Sequence, residues 1–564
     1  MFPGDDSSST RFVRGEATVT DYTKHFSERQ TPQSEPIPFT AQVPNSAGGF
    51  VWAVNDWTRL DRFLILGSEG GSYYIAERAL TVENAEAVVR CIQADGRRAV
   101  ARIVEVSRAG RAPKNDPAIF ALALAASKGD LPTRQAAFAA VPEVCRIGTH
   151  LFHFVRDAQA FRGWGGGFKR AVAHWYESMP ADRLAYQAIK YQQRDGWSHR
   201  DLVRLSHPTP DSPVREAVLR WRAGAPRGPK ALAERIRHRR RELCPADGTD
   251  ALLAAFARLQ ATTDEAEVVR LVTSHRLPRE AVPSQWLTAP AVWEALLEDM
   301  PMTAMVRNLA TMTRVGLLAP LSAAAKKVAE ELADRERIRT ARVHPLAILL
   351  ALRTYAGGRG IRGQNTWTPV QSICDALDGA FYLTFENAEA TGKRLVLALD
   401  VSGSMGAAFI GQSGLSAREA AAAMALVIAN TEREHVIIGF TGGGPGAVSP
   451  LAITPKMRLD QVTSYTAHLP FGGTDCALPM LWAEAQRIQA DGFLIVTDSE
   501  TWAGSIHPSQ ALRQYRRTTG IPAKLVVLAM TSNNFTIADP QDAGMMDCVG
   551  FDAAVPAVIR DFLA

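Results

Sequence analysis

The sequence predicts two architectures in series: a long array of stacked α-helical hairpins of the solenoid kind, then an α/β doubly wound domain. Three observations carry this. With 564 residues the chain is too long for one hydrophobic core. From Phe50 to about Leu377 the apolar spacing is that of short amphipathic helices separated by Gly and Pro breaks, with almost no period-two alternation. After about Gly379 short apolar runs alternate with helical stretches, the pattern of a parallel sheet covered by helices on both faces.

Residues 1–48 contain TPQSEPIPF and QVPNSAGGF and read as an irregular N-terminal arm or disordered lead-in. Within 49–379, helices are expected at Val82 to Gln93, Arg97 to Ala109, Pro117 to Ser127, Pro132 to Val141, His150 to Arg162, Phe168 to Ser178 and Ala181 to Arg194. More follow at His199 to Leu205, Asp211 to Ala223, Asp250 to Ala261, Asp264 to Ser274, Pro290 to Leu297, Met302 to Gly316, Leu321 to Ile338 and Pro345 to Ala356. Such stacks curve, giving a concave surface or a closed ring. Within 380–564, strands are expected at Leu395 to Leu399, Val436 to Phe440, Phe493 to Val496 and Leu525 to Ala529.

No apolar stretch reaches the roughly 20 residues needed to span a bilayer, and the start MFPGDDSSST lacks the pattern of a secretory signal, so a cytoplasmic protein is expected. The six cysteines are scattered without a CxxC pair, which argues against zinc and against a disulfide framework. The net charge of +5 is unevenly spread. Residues 161–241 hold 18 Lys and Arg against 7 Asp and Glu, whereas residues 381–564 hold 12 against 17. The excess positive charge is local, which points to a polyanion bound at one place.

The first expected strand of the second domain ends in Asp400, followed by Ser402, Ser404 and a glycine turn, and ligands in open α/β sheets collect at the carboxyl ends of strands. FGGTD supplies Thr474 before a helix, and VTDSE supplies Asp498 after a strand. Asp400, Ser402, Ser404, Thr474 and Asp498 offer oxygen donors only, which suits a hard cation, Mg²⁺ above Mn²⁺ or Ca²⁺. Turn-capping by Asp400 and the two serines is the plainer alternative. GSMG lacks the first glycine of GxSxG, GRGIRG follows a helix rather than a strand, and no GxxxxGK[ST] occurs. These readings disfavour a hydrolase elbow, a dinucleotide site and a P-loop.

Between Arg162 and His207 basic and aromatic residues interleave. Gly163, Gly165, Gly166 and Gly167 permit close backbone approach, and Lys169 and Arg170 fall in the first turn of the next helix. Lys190, Tyr191, Arg194, His199, Arg200, Arg204 and His207 extend the basic surface, with Tyr191 and His199 available to stack on unpaired bases. Trp164, Trp175 and Trp197 are expected in the core. The run from Arg235 to Arg241 is expected to be exposed.

FVWAVNDWTRLDRFLILGSEGGSYYI, GWGGGFKRAVAHWY, KYQQRDGWSHRDLVRLSHPTP and HPLAILLALRTYAGGRGIRGQNTWTP resemble the Ro ribonucleoprotein family, and the chain looks like a bacterial member of it. In that family a TROVE module of helical repeats precedes a von Willebrand factor A domain carrying a metal-ion-dependent adhesion site, whose DxSxS, Thr and Asp match the five oxygen donors above. The resemblance implies a ring of HEAT-like repeats closed by the A domain. It implies Y RNA on a basic outer surface, with Lys169, Arg170 and His199 as outer-surface candidates, and 3′ ends of misfolded RNA in a central hole. It also implies association with the exoribonuclease polynucleotide phosphorylase through Y RNA. The residues therefore lead to a non-enzymatic RNA-binding ring, expected as a monomer, that scaffolds RNA quality control. A metal-dependent protein-interaction scaffold is the rival, and a nuclease using the Asp400 cation a distant third. The tract 223–250 matches nothing in the family.

Overall fold

Residues 30–68, 76–224, 248–360, 364–385, 389–407, 416–443, 446–469, 472–552 and 554–564 are described by the computed structural model. The basic run from Arg235 to Arg241, most of the 223–250 tract and residues 1–29 of the arm lie outside them.

Helices dominate from Asp56–Leu66 to Gln371–Leu383. Their shared core is built from inward stripes carrying Phe152, Phe154, Trp175, Phe256 and Trp293, all fully buried. The two helices expected between 82 and 109 are both present within Glu77–Ala109, separated at Asp95, whose backbone is not helical (φ −157°, ψ 87°). Asp95 Oδ1 accepts from Arg98 N at 3.0 Å, so the second helix starts with its own cap. Two expectations are corrected. The helix expected to run to Arg194 stops at Lys190, because β3 (Gln193–Arg194) and β4 (Trp197–Ser198) form a small hairpin. Its Asp195-Gly196 turn holds both residues at positive φ, 52° and 79°. The single helix expected over 321–338 is two, Ala323–Leu332 and Arg335–Ala341, the second capped by Asp334 accepting from Arg337 N.

The second domain is a six-stranded sheet of order β11-β9-β8-β5-β6-β7. Its members are β5 (Leu395–Asp400), β6 (His435–Phe440), β7 (Val448–Pro450), β8 (Gly492–Thr497), β9 (Lys524–Ala529) and β11 (Met545–Val549). Every pairing is parallel except that of β7 with β6. The four expected strands are the four central ones, buried on both faces, as their unbroken apolar runs require. The chain leaves β5 for β6 on one side and returns to β8 on the other, so a switch point opens between β5 and β8 at their carboxyl ends.

Residues 30–48, expected in an irregular arm, and 49–53, expected in the helical module, belong structurally to this domain. β1 (Gln42–Pro44) and β2 (Phe50–Ala53) pair antiparallel, and β2 adds β10 (Phe535–Thr536) to form a second sheet. Prolines do not prevent this, because side chains supply the bonds. Gln33 Nε2 donates to Asp475 Oδ1 at 2.6 Å and to Ile506 O at 2.8 Å, and Asn45 Nδ2 donates to Thr501 O at 2.7 Å.

Both ends of the helical array dock on the sheet domain and on each other. From the first helix, fully buried Arg62 donates through Nη1 to Asn533 O, Asn533 Oδ1 and Phe535 O, and through Nη2 to Asp547 Oδ1 at 2.7 Å. Arg111 Nη2 donates to Val549 O at 2.9 Å, while its carbonyl lies 3.1 Å from His344 Nε2. Arg342 Nη1 donates to Arg108 O across 234 residues of sequence. At the far end Arg353 pairs with Glu419 and Arg458 with Asp375. The array is thus closed into a ring.

Arg62→Ala should destabilise the protein by about 3–5 kcal/mol, because the Asp547 charge and the facing carbonyls lose their buried partner. Arg90→Ala, which removes an exposed ion pair with Asp56, should cost no more than about 1 kcal/mol. Urea unfolding of the two variants checks the contrast.

Candidate functional site

At the switch point three loops meet. Asp400 ends β5 and is fully buried. Its Oδ1 accepts from Ser402 N at 2.9 Å, and its Oδ2 accepts from Thr497 Oγ1 at 2.6 Å. Ser402 Oγ and Ser404 Oγ lie 3.1 Å apart. Asp498, directly after β8, takes a side-chain hydrogen bond from Ser404, and its Oδ1 accepts from Glu500 N at 3.1 Å. Thr474 is buried too, and its carbonyl accepts from Trp502 N and Ala503 N, both at 3.0 Å, which pins the second loop to the third.

Both carboxyls of the site are shifted upward. Burial pushes the Asp498 carboxyl up to about 7, and the Asp400 charge beside it pushes the same way. Burial likewise raises Asp400. The nearby Arg418 does not neutralise them by direct pairing, because its Nη2 donates to Val401 O at 2.7 Å and Ser402 O at 2.8 Å. Among the described residues no cluster of three or more His, Cys, Asp or Glu is placed to hold a metal. The donor set here is two carboxylates and three hydroxyls, all oxygen, which fits a hard cation and not zinc.

Sequence reasoning missed three contributors to this site. Arg418 was legible as the one arginine in an alanine-rich helix, Ala417–Thr431. Thr497 stood beside Asp498 in the sequence. Gln33, whose side chain also accepts from Thr501 Oγ1, lay more than 440 residues away, and no local pattern marks it.

The basic segment resolves into distinct placements. Gly165 caps the helix Gly166–Glu177, with open space where a Cβ would stand, and Lys169 N already bonds Gly165 O. The N–H groups of residues 166–168 therefore precede the first helical hydrogen bond and open outward, beside exposed Lys169 and Arg170. Arg194 is exposed on the hairpin, 3.8 Å from Asp195. Arg200 is half-buried, and Arg204 and His207 are exposed. Arg204 Nε donates to Ala223 O. Lys190 lines a cavity of about 40 Å³ with Tyr186, Arg276, Arg279 and Asn308, its Nζ 5.5 Å from the ring centre of half-buried Tyr191.

His199 is corrected. It is fully buried, hydrogen-bonded through Nδ1 to the Tyr176 hydroxyl at 2.8 Å and packed on Phe152 and Trp175, so it cannot stack on a base. The cause is local. Ser198 and Asp201 cap the helix His199–Ser206 reciprocally and so start it at His199, which then shares the inward stripe of Leu202, Val203 and Ser206. Trp175 is core as expected, while Trp164 and Trp197 are half-buried, packed edge to face at 5.6 Å.

The TROVE domain family matches residues 43–354, and the Ro60 vWA domain family matches residues 394–563. The chain belongs to the Ro60 family. It is 41% identical to the RNA-binding protein RO60 of Deinococcus radiodurans over 94% of this chain and 97% of that one. It is 38% identical to the RNA-binding protein RO60 of Caenorhabditis elegans over 93% and 90%. Among solved structures, the Deinococcus radiodurans RO (RSR) protein superposes with a TM-score of 0.64 at 38% identity, covering 90% of this chain and 99% of that one. Ro60 membership agrees with the expected helical ring and doubly wound A domain, and RNA binding is the family's trait. No helix among the described residues is long and apolar enough to cross a membrane.

Burial holds His199 neutral, its pKa pushed down to about 3. Unfolding lets it protonate near its ordinary 6.5, so its contribution to stability is intact above that pH and lost as pH falls from 6.5 toward 3. In His199→Phe, the slope of unfolding free energy against pH in that window should flatten by up to about 1.4 kcal/mol per pH unit. Denaturant titrations at several pH values measure it.

Proposed function

We propose that this chain is a non-enzymatic RNA-binding ring that carries small noncoding Y RNA on its outer basic surface and admits single-stranded 3′ ends of misfolded RNA to its central hole. In this reading it acts in the cytoplasm as a scaffold for RNA quality control and decay, working with polynucleotide phosphorylase tethered through the Y RNA. One observation carries the reading most: the glycine-opened helix start at Gly165–Gly167. It aligns unbonded N–H groups with Lys169 and Arg170, neither of which has a carboxylate within ion-pair distance among the described residues. Arg200, Arg204 and His207 also lack such a partner there and would extend the phosphate track. Arg215, by contrast, is buried and paired with Asp211, so it is set aside for structure.

The A domain site would hold Mg²⁺ through Asp400, Ser402, Ser404, Thr474 and Asp498. The bound ion would supply a positive charge between two buried carboxylates and open positions for an anionic ligand. A second reading, a docking scaffold in which the ion binds an acidic group of a protein partner, is favoured only by that chemistry.

Reversing both charges, Lys169→Glu with Arg170→Glu, should weaken Y RNA binding by at least tenfold, and losing two phosphate contacts should flatten the slope of log affinity against log salt by about 1.8. Filter binding across salt concentrations is the measurement, and retention unchanged from wild type would sink the assignment. Asp400→Ala should abolish Mn²⁺ binding while leaving Y RNA affinity unchanged.

A further inference from the structure

Trp502 sits on the third loop of the metal site, and 43% of its surface is exposed. Its backbone N donates to the carbonyl of Thr474, one of the five oxygen-donor residues. Its ring lies over the glycine before that residue. A Cβ at Gly473 would stand 2.8 Å from Trp502 Cζ2, and Gly473 is further pinned by a β-bridge to Gly442. The indole is therefore fixed at the rim of the site with its Cζ2 and Cε2 edge on the Gly473 backbone and part of the ring open to solvent. Other large rings of the domain, Phe440 and Phe493, are fully buried, in contrast to Trp502.

We propose that Trp502 is a stacking platform for an unpaired RNA base whose phosphate oxygen completes the coordination of the A domain cation. The inference rests on the cation reading given above. A phosphate on the ion and a base on a neighbouring indole satisfy the two chemical features that this rim offers, one hard and charged, the other flat and polarizable. The Ro60 family binds RNA, and residues 381–564 are acidic overall, 12 Lys and Arg against 17 Asp and Glu. A strand would therefore be recruited by the basic helical module and reach this rim only through a locally unpaired segment whose charge the cation offsets. An acidic peptide would meet the same repulsion without the cationic module's phosphate contacts and would leave the indole face without a flat partner.

The test uses the full chain with a fluorescein-labelled short oligouridylate as probe, and Mn²⁺ alone, followed by electron paramagnetic resonance, as an independent readout of the metal site. Wild type should bind the oligonucleotide more tightly with Mg²⁺ than without. Trp502→Leu should lose roughly tenfold of that affinity, Trp502→Phe should keep most of it, and both variants should bind Mn²⁺ like wild type, which also shows that the loop is intact. If Mn²⁺ binds all three proteins alike and the oligonucleotide does too, the platform is overturned and the metal site stands. If Mn²⁺ does not bind wild type, the metal site falls and the platform with it. If Trp502→Leu loses an Asp- and Glu-rich peptide rather than the RNA, the assigned occupant is overturned.

Discussion

The buried guanidinium of Arg62 is the contact on which the rest of the molecule depends. It comes from the first helix of the array and enters the sheet domain at the far end of the chain, where three carbonyl-type oxygens and one carboxylate surround it. Helical stacks curve whether or not they close. What fixes the curvature here is that both ends must satisfy polar groups on the same domain: Arg62 and Arg111 at one end, Arg353 and the residues receiving Arg458 and Leu459 at the other. An arginine fully removed from water is tolerable only where its partners are held in place, so the closure is all-or-none in character rather than a loose apposition.

That closure reaches the Asp400–Asp498 site by a short path. Asn533, which accepts from Arg62, donates through Nδ2 to Asp498 O at 2.6 Å. The same loop accepts Ala47 N on Glu500 Oε2 and Asn45 Nδ2 on Thr501 O. The loop bearing one carboxylate of the site is thus held directly by the segment Asn45–Ala47 and, through Asn533, by Arg62. The site is built by ring closure as much as by the sheet beneath it. Its electrostatic tension, two carboxyls raised by burial with the Asp400 charge adding to the push on Asp498, is sustained by that frame.

How much of this was legible depended on whether the signal was local. The central strands were visible because burial on both faces demands unbroken apolar runs, and Asp400, Ser402, Ser404 and Asp498 were visible because a rim site takes residues directly after strands. Lys169 and Arg170 were visible because glycines and basic residues sat at a helix start. The failures share the opposite cause. β10 has only two residues, and its partner β2 lies about 480 residues earlier, so no window could pair them. The hairpin after Lys190 was written in Asp195-Gly196 but outweighed by the helical run before it. His199 looked like a surface base-stacking residue because basic neighbours surround it in sequence. The helical spacing that puts it on one stripe with Leu202 and Val203 was equally local and could have been read.

The placement of His199 changes what the basic surface is made of. The two exposed cations, Lys169 and Arg170, ride on the helix Gly166–Glu177, and the body of that helix, Trp175 and Tyr176, is packed on His199 from the helix His199–Ser206. The imidazole ties two further helices to its own: its Nδ1 meets the Tyr176 hydroxyl, and its ring fills the space left open by Gly148 at the start of the helix Gly148–Arg162, where a Cβ would come within 2.9 Å of Nε2. A residue in that position acts on RNA only by fixing the relative position of two helices. Its loss would be felt as misplaced cations rather than as a missing contact. Cations set in register by a buried aromatic cluster keep their spacing without acidic neighbours to hold them, which leaves their full charge available to a phosphate backbone.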